Sequence, residues 1–404
     1  MIRFSSSVTN LRSSEIRDLM SLANKPDMIL FSGGMPDNDL FPLREVDTIY
    51  QELTDTEKKI AMQYGPTHGI PQLLASLSEY LKEKGLPVEE NRLLITTGSL
   101  QAINILAHAF IDPGDTIFVE NPCFIGAISA FRSYQASIVS IPLTADGLNL
   151  IELRKKLDEM EKAPKFVYLT PNFHNPAGTL YTRETKLGLI ELLKNKNIPL
   201  IEDDAYSDLY FHEEDKLHLQ TIKSINPEGI DVCYTGSFSK ILGPGLRLGW
   251  MLVPEEIYKK CELIKQSIDA CSPSFTQMVA HKFLQNNVVT DYLNYIRPEY
   301  KHRAEIMTQL LKTTLPKGCN FTPPRGGFYI WIELPEQIDA TAVLKRAIEK
   351  GVVFVSGKTF DPDGTRNNYI RLSFCNTSEE KIRKGIPLVV DSIRAEMELS
   401  HLPC

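Results

Sequence analysis

The sequence predicts an α/β protein: a large unit with a mostly parallel, seven-stranded sheet between helices, followed by a smaller α+β unit. Two patterns carry this expectation. From about Arg44 to Pro254, short apolar runs alternate with helix-length amphipathic stretches, as in a parallel sheet covered on both faces. Further on, "NFTPPRGGFYIWIELP", "VVFVSG" and "YIRLSF" read as strands around a single helix, "ATAVLKRAIEKG". A chain of 404 residues, 43% of them apolar, is long enough to bury both cores.

In chain order, Ile16, Leu19, Met20 and Ala23 recur on one face of a leading helix over Ser13 to Asn24, which "FSGGMPDNDLFP" breaks. The large sheet draws on "LLITTG", "TIFVENP", "SIVSIPL", "KFVYLTPN", "PLIEDDAY", "DVCYTGS" and "LGWMLV". "SLQAINILAHAF" is the clearest helix and follows directly on the first strand; "DPGD" closes it. A long helical region spans Pro273 to Thr314, and a last helix begins near Ser378. The expected boundaries are an N-terminal arm, 1–43, associated with the small unit, a large unit, 44–300, and a small unit, 301–404.

Composition excludes several function classes. A formal net charge of −7 gives no general attraction to a polyanion, so nucleic acid is not an expected partner. The chain shows no apolar run of the roughly 18 residues that span a bilayer and no signal peptide, so no membrane partner and a cytoplasmic location are expected. Seven cysteines without CxxC spacing suggest reduced thiols, and eight scattered histidines without a ligand pair suggest no metal. Neither G-x-x-x-x-G-K-[ST] nor a strand-linked G-x-G-x-x-G is present.

In an open α/β sheet, ligands bind beyond the carboxyl ends of the strands. Polar residues gather at those ends here. Gly98-Ser99 opens a helix, whose free N–H groups would face an anion. Phe124 offers a flat ring, Asn175 an amide, Asp203 a carboxylate with Tyr206 close behind, and Ser237, Ser239 and Lys240 two hydroxyls and an amine. Each alone has an ordinary reading: an N-cap, a core aromatic, a solvated acidic turn, a surface lysine. One cofactor explains the set. Pyridoxal phosphate needs an amine for a Schiff base, donors for its phosphate, an aromatic face, a carboxylate opposite the ring nitrogen, and donors at its phenolic oxygen.

These motifs resemble the fold type I, class I/II pyridoxal-phosphate aminotransferases over nearly the whole chain, from "FSGGMPDNDLFP" through "QYGPTHGIPQLL", "NPAG", "EDDAY" and "SFSKILGPGLRLG" to "PRGGFYIW" and "YIRLSF". The arrangement is most similar to the branch holding 2-aminoadipate and kynurenine aminotransferases and the catalytic-like domains of MocR-type regulators. The resemblance implies Lys240 as the Schiff-base lysine, with Ser237, Ser239 and Arg247 as phosphate ligands beside the Ser99-Leu100 backbone. It implies Asp203 at the pyridine nitrogen, Asn175 and Tyr206 at the phenolic oxygen, and Phe124 on the ring face. Catalysis would fall to Lys240, Asp203 and Tyr206, and substrate binding to Arg371, Asn175, Gly34 and Arg17. Tyr64 resembles the tyrosine that reaches a neighbouring subunit's phosphate, which implies a homodimer with composite sites.

The implied reaction moves an amino group from an L-amino acid to a 2-oxo acid, with 2-oxoglutarate as acceptor and 2-aminoadipate, aromatic or branched-chain amino acids as donors. A carbon–sulfur β-lyase would share the same cofactor residues. A MocR-type regulator would need a winged helix-turn-helix, and only about 30 residues precede "SGGMPD". Three positions depart from the commonest pattern. Phe124 lacks a hydroxyl, Ala177 stands in place of a threonine or serine with loss of a local hydrogen bond, and His174 faces either cofactor or solvent. Asn121-Pro122 and Asn175-Pro176 match positions that are often cis in this family, so the resemblance implies cis bonds at both.

Overall fold

The computed structural model describes residues 2–9, 28–226, 229–285 and 288–400. The leading helix expected over 13–24 lies outside them.

Seven expected strands lie side by side in one sheet, in the order Arg92–Thr96, Gly249–Val253, Val232–Ser237, Leu200–Asp204, Val167–Leu169, Thr116–Asn121 and Ser137–Thr144. A two-residue strand, Gly147–Leu148, adds an eighth at the edge by folding back antiparallel on Ser137–Thr144. It is too short to leave an alternation in the sequence. Of the seven, Gly249–Val253 alone runs against its neighbours.

Both faces of the sheet are apolar. Ile117 and Val119 join Tyr168, Ile201 and Met251 under the helices Ser99–Phe110, Ile125–Ser133 and Glu255–Asp269. The alternate residues Phe118, Val167, Leu169 and Leu200 face the helices Leu150–Glu159 and Arg183–Lys194. Period-two alternation with apolar residues at both phases is what a doubly covered parallel sheet requires, and each fully buried large side chain contributes about 1.5–3 kcal/mol.

The small unit is an antiparallel sheet in the order Asn320–Phe321, Tyr329–Glu333, Tyr369–Ser373 and Val355–Ser356, packed with the helices Ala340–Glu349 and Glu379–Leu399. Asp339 and Ser378 cap these helices by accepting from the N–H groups of Thr341 and Lys381. "VVFVSG" is two strands rather than one. Val352–Val353 pairs in parallel with Ile29–Leu30, while Val355–Ser356 joins Tyr369–Ser373. The partner of the first lies more than 300 residues away in the chain, beyond any local pattern. Ser373 N–H then donates to the Phe31 carbonyl at 2.8 Å, which lays Ser32–Met35 along the end of the small sheet and over the rim of the large one. No described helix is long and apolar enough to cross a membrane.

Candidate active site

Sheet register explains why distant motifs meet. Thr96, Gly249 and Ser237 form one row across three strands. Gly249–Val253 runs antiparallel, so the residues before it and those after the other two strands emerge at the same rim. Gly98-Ser99, Arg247 and Ser239-Lys240 therefore converge. One strand further, Asp203 pairs with Thr235. A cavity of about 310 Å³ at this rim is lined by Ser99, Leu100, Phe124, Asn175, Asp203, Tyr206, Ser237, Ser239, Lys240, Arg247, Arg371 and Gly34, together with Met35, Thr170, Ala205 and Tyr329. Every site residue singled out from the sequence lies here except two. Tyr64, just past the helix Asp55–Met62, is 87% exposed and away from this chain's own cavity, and Arg17 lies outside the described residues.

Lys240 Nζ donates to the Gly34 carbonyl at 2.7 Å and sits over the rings of Phe328 and Tyr206, at 5.6 and 5.8 Å. Burial pulls its pKa down to about 8; Arg371 and Arg247 act in the same direction and the Cys375 thiol against it. Near pH 7 a minor but much enlarged fraction of the amine is thus neutral, and that fraction is nucleophilic. Asp203 is buried and accepts from Tyr168 Oη at 2.8 Å and Thr235 Oγ1 at 3.0 Å. Burial raises its pKa to about 6 against the pull of those two bonds.

At the other end of the cavity, Gly98 caps the helix Ser99–Phe110 with φ 85°, a left-handed conformation that favours glycine. A Cβ there would lie 2.6 Å from Arg247 Nη2, so the glycine also leaves room for the guanidinium. Arg247 itself holds φ 49°, ψ 52°, an uncommon conformation for a residue with a side chain. Ser237 Oγ accepts from the Ser239 N–H at 3.1 Å. Helix N–H groups, two hydroxyls and a forked cation form a cradle for a phosphate.

Arg371 is 2% exposed, and no carboxylate among the described residues pairs with it. Its Nη1 donates to Asn175 Oδ1 at 2.9 Å and its Nη2 to the Ser32 carbonyl, while Nε has no partner. The rings of Tyr329 and Phe360 cover it at 4.4 and 4.7 Å. A buried guanidinium that lines a cavity and has no carboxylate partner among the described residues suits a carboxylate ligand.

Both Asn121-Pro122 and Asn175-Pro176 are cis, as expected. The expectation for His174 needs correction: it faces neither cofactor nor solvent. Fully buried, it pairs through Nε2 with Glu120 at 3.1 Å and accepts the Ala177 N–H at Nδ1, 3.1 Å away. That acceptor fixes the proton on Nε2. The Ala177 N–H is thus satisfied where no hydroxyl stands at 177. Glu120 also accepts from the Thr170 N–H and Tyr181 Oη, which ties together the start, middle and end of the loop carrying Asn175. Sequence reasoning missed Glu120, Tyr168, Thr235 and Tyr329. A carboxylate inside the apolar run "TIFVENP" was the available signal, since a charge there needs partners. His174→Phe should lower apoenzyme stability by about 3 kcal/mol, because it leaves buried Glu120 short of a donor. Chemical denaturation measures this, and an unchanged midpoint would remove Glu120 as the hub of the loop.

Residues 26–387 match the family model for aminotransferase class I and II. The chain belongs to this family. The aromatic-amino-acid aminotransferase 1 of Thermococcus litoralis is 36% identical over 399 residues, covering 98% of this chain and 95% of that protein. The kynurenine aminotransferase of Pyrococcus horikoshii, solved with PMP, KYN and KYA, has a TM-score of 0.93 at 36% identity, with 98% of this chain and 97% of that chain covered. The α-aminoadipate aminotransferase of Thermus thermophilus, solved with N-(5′-phosphopyridoxyl)-L-leucine, has a TM-score of 0.89 at 31% identity, with 98% of each chain covered.

The aminotransferase is a pyridoxal-phosphate enzyme, and its own residues fit that cofactor. Asp203 is a buried carboxylate without a cation among the described residues, the charge a protonated ring nitrogen would supply. The Gly98–Arg247 cradle fits the phosphate, and the Lys240 amine lines the same cavity.

Proposed function

We propose that this aminotransferase moves the amino group of an aromatic or branched-chain L-amino acid to 2-oxoglutarate by ping-pong turnover, as a homodimer with composite sites. The observation that carries the reading is the single cavity in which Lys240, Asp203, Asn175, Tyr206, Arg247 and Arg371 meet.

In this reading Ser99 and Leu100 N–H groups, Ser237, Ser239 and Arg247 grip the phosphate. Asp203 holds the proton on the ring nitrogen, Asn175 and Tyr206 donate to the phenolic oxygen, and Phe124 packs on the ring face. When bound, pyridoxal phosphate supplies the electron sink for the bond pair left at the substrate Cα. Arg371 takes the α-carboxylate through its fork. Lys240 would bond the cofactor aldehyde in the resting enzyme, and its freed amine would serve as the base that takes the proton from the substrate Cα. Exposed Tyr64 reaches the phosphate of the neighbouring subunit.

Donor preference rests on the remaining walls. Met35 and Tyr329 are apolar or aromatic, and the cations lining the cavity, Lys240, Arg247 and Arg371, each have another task. Arg17 is the cation we assign to the distal carboxylate of 2-oxoglutarate, and of 2-aminoadipate where that serves as donor. A donor panel with 2-oxoglutarate as acceptor tests this. Aromatic and branched-chain donors should give the highest kcat/KM, and Arg17→Ala should raise KM for 2-oxoglutarate and 2-aminoadipate about tenfold without altering KM for aromatic donors. A strong preference for 2-aminoadipate would overturn the donor assignment. Pyruvate and ammonia release from cysteine conjugates without any oxo acid would favour a β-lyase.

A further inference from the structure

The assignment of Tyr206 to the cofactor's phenolic oxygen leaves open what that phenol leans on. Tyr206 Oη lies 3.2 Å from Tyr329 Oη, with the two rings edge to face at 5.9 Å. Both side chains are nearly inaccessible, at 5% and 3% exposure. Tyr329 opens the strand Tyr329–Glu333 of the small sheet, where it is a diagonal neighbour of Arg371, since Trp331 pairs with Arg371. Its ring covers the Arg371 guanidinium, and its hydroxyl reaches past that cation to Tyr206. The same hydroxyl fills the space beside Gly34, whose carbonyl holds Lys240 Nζ: a Cβ at Gly34 would overlap it. Tyr329 thus touches Tyr206, Arg371 and the Gly34 segment at once.

A phenol has one proton to donate. If Tyr206 gives its proton to the phenolic oxygen, it can only accept from Tyr329. We propose that Tyr329 is a positioning residue that donates to Tyr206, fixing the direction of the Tyr206 proton toward the cofactor and strengthening that donation. The proposal rests on the assignment of Tyr206 made above. A phenol that accepts a hydrogen bond donates a stronger one. A stronger donor at the phenolic oxygen weakens that oxygen's hold on the proton it shares with the Lys240 nitrogen, so the proton leaves at lower pH. The titratable and charged groups facing Tyr206 are Tyr329, Arg371, Cys375 and Lys240. Of these, the Tyr329 hydroxyl is the one within hydrogen-bond distance of its oxygen, and phenylalanine deletes that hydroxyl while keeping the ring over Arg371.

The test is a pH titration of the visible absorption of the holoenzyme, in wild type, Tyr329→Phe, Tyr206→Phe and the double variant. Tyr329→Phe should raise the midpoint by about half a pH unit, a threefold change in proton affinity, and Tyr206→Phe by more than about one unit. The double variant should titrate with Tyr206→Phe, because Tyr329 acts only through Tyr206. A wild-type midpoint in Tyr329→Phe beside a raised one in Tyr206→Phe overturns the proposal and leaves the Tyr206 assignment standing. An unshifted Tyr206→Phe overturns that assignment and the proposal with it. Additive shifts in the double variant would show that Tyr329 acts independently of Tyr206, which also overturns it.

Discussion

Lys240→Ala protein is expected to retain pyridoxal phosphate noncovalently and to turn over at least about 10⁴-fold more slowly than wild type. Two losses combine. The variant has no amine to bond the cofactor aldehyde, and it has no base beside the substrate Cα. The phosphate cradle of Gly98, Ser237, Ser239 and Arg247 is untouched by the change, so binding should survive. Borohydride reduction of wild-type holoenzyme followed by peptide mapping should place the phosphopyridoxyl group on Lys240. The depressed pKa adds a pH signature. Burial brings the amine to about 8, and only the neutral form attacks, so covalent capture by the apoenzyme should accelerate as pH rises from 7 to 9 and level off above. Capture that tracks an ordinary lysine, still rising beyond pH 10, would contradict the burial argument. Turnover in Lys240→Ala near the wild-type rate would remove Lys240 from the chemistry.

Asp203→Asn is expected to lower kcat by about 10³-fold with little change in protein stability. The carboxylate lines the cavity, held by Tyr168 and Thr235, with no cation among the described residues to neutralise it. Its pKa, raised to about 6 by burial and, to a smaller degree, by the carboxylates of Asp204 and Glu120, should fall once a protonated ring nitrogen is opposite. Asparagine fits the same space without the charge, so the ring nitrogen would lose its proton and the electron sink would weaken. Asp203→Glu keeps the charge and should recover part of the rate, and Tyr168→Phe, which removes one of two supporting bonds, should cost about tenfold. Steady-state kcat with a saturating aromatic donor is the measurement. Wild-type kcat in Asp203→Asn would show that the carboxylate is structural.

The cofactor end of this site was legible in the sequence because parallel sheets bring successive strand ends to one rim. Each of Phe124, Asn175, Asp203 and Lys240 follows an apolar run short enough to recognise, so its place at the rim followed from the fold class. What supports the rim was harder to read. Glu120 lies inside a strand, and its partners His174, Thr170 and Tyr181 are 50 to 61 residues away in sequence. Tyr329 reaches the cavity, beside Gly34, only because the small sheet docks next to it and the Ser32–Met35 segment follows Phe31 along Ser373. The division of "VVFVSG" between two sheets has the same origin, since Ile29–Leu30 comes from the other end of the chain. Local periodicity reports which face of a strand is buried; it carries no record of which distant segment lies next to it.

The most direct test of the account is a single half-reaction. Holoenzyme is mixed with an aromatic amino acid in the absence of any oxo acid, while visible absorption and 2-oxo acid release are followed together. The account predicts loss of the visible band, release of about one 2-oxo acid per chain and no more, and full return of the band on adding 2-oxoglutarate. Continued product release without an acceptor, or a band unchanged by the amino acid, would contradict it.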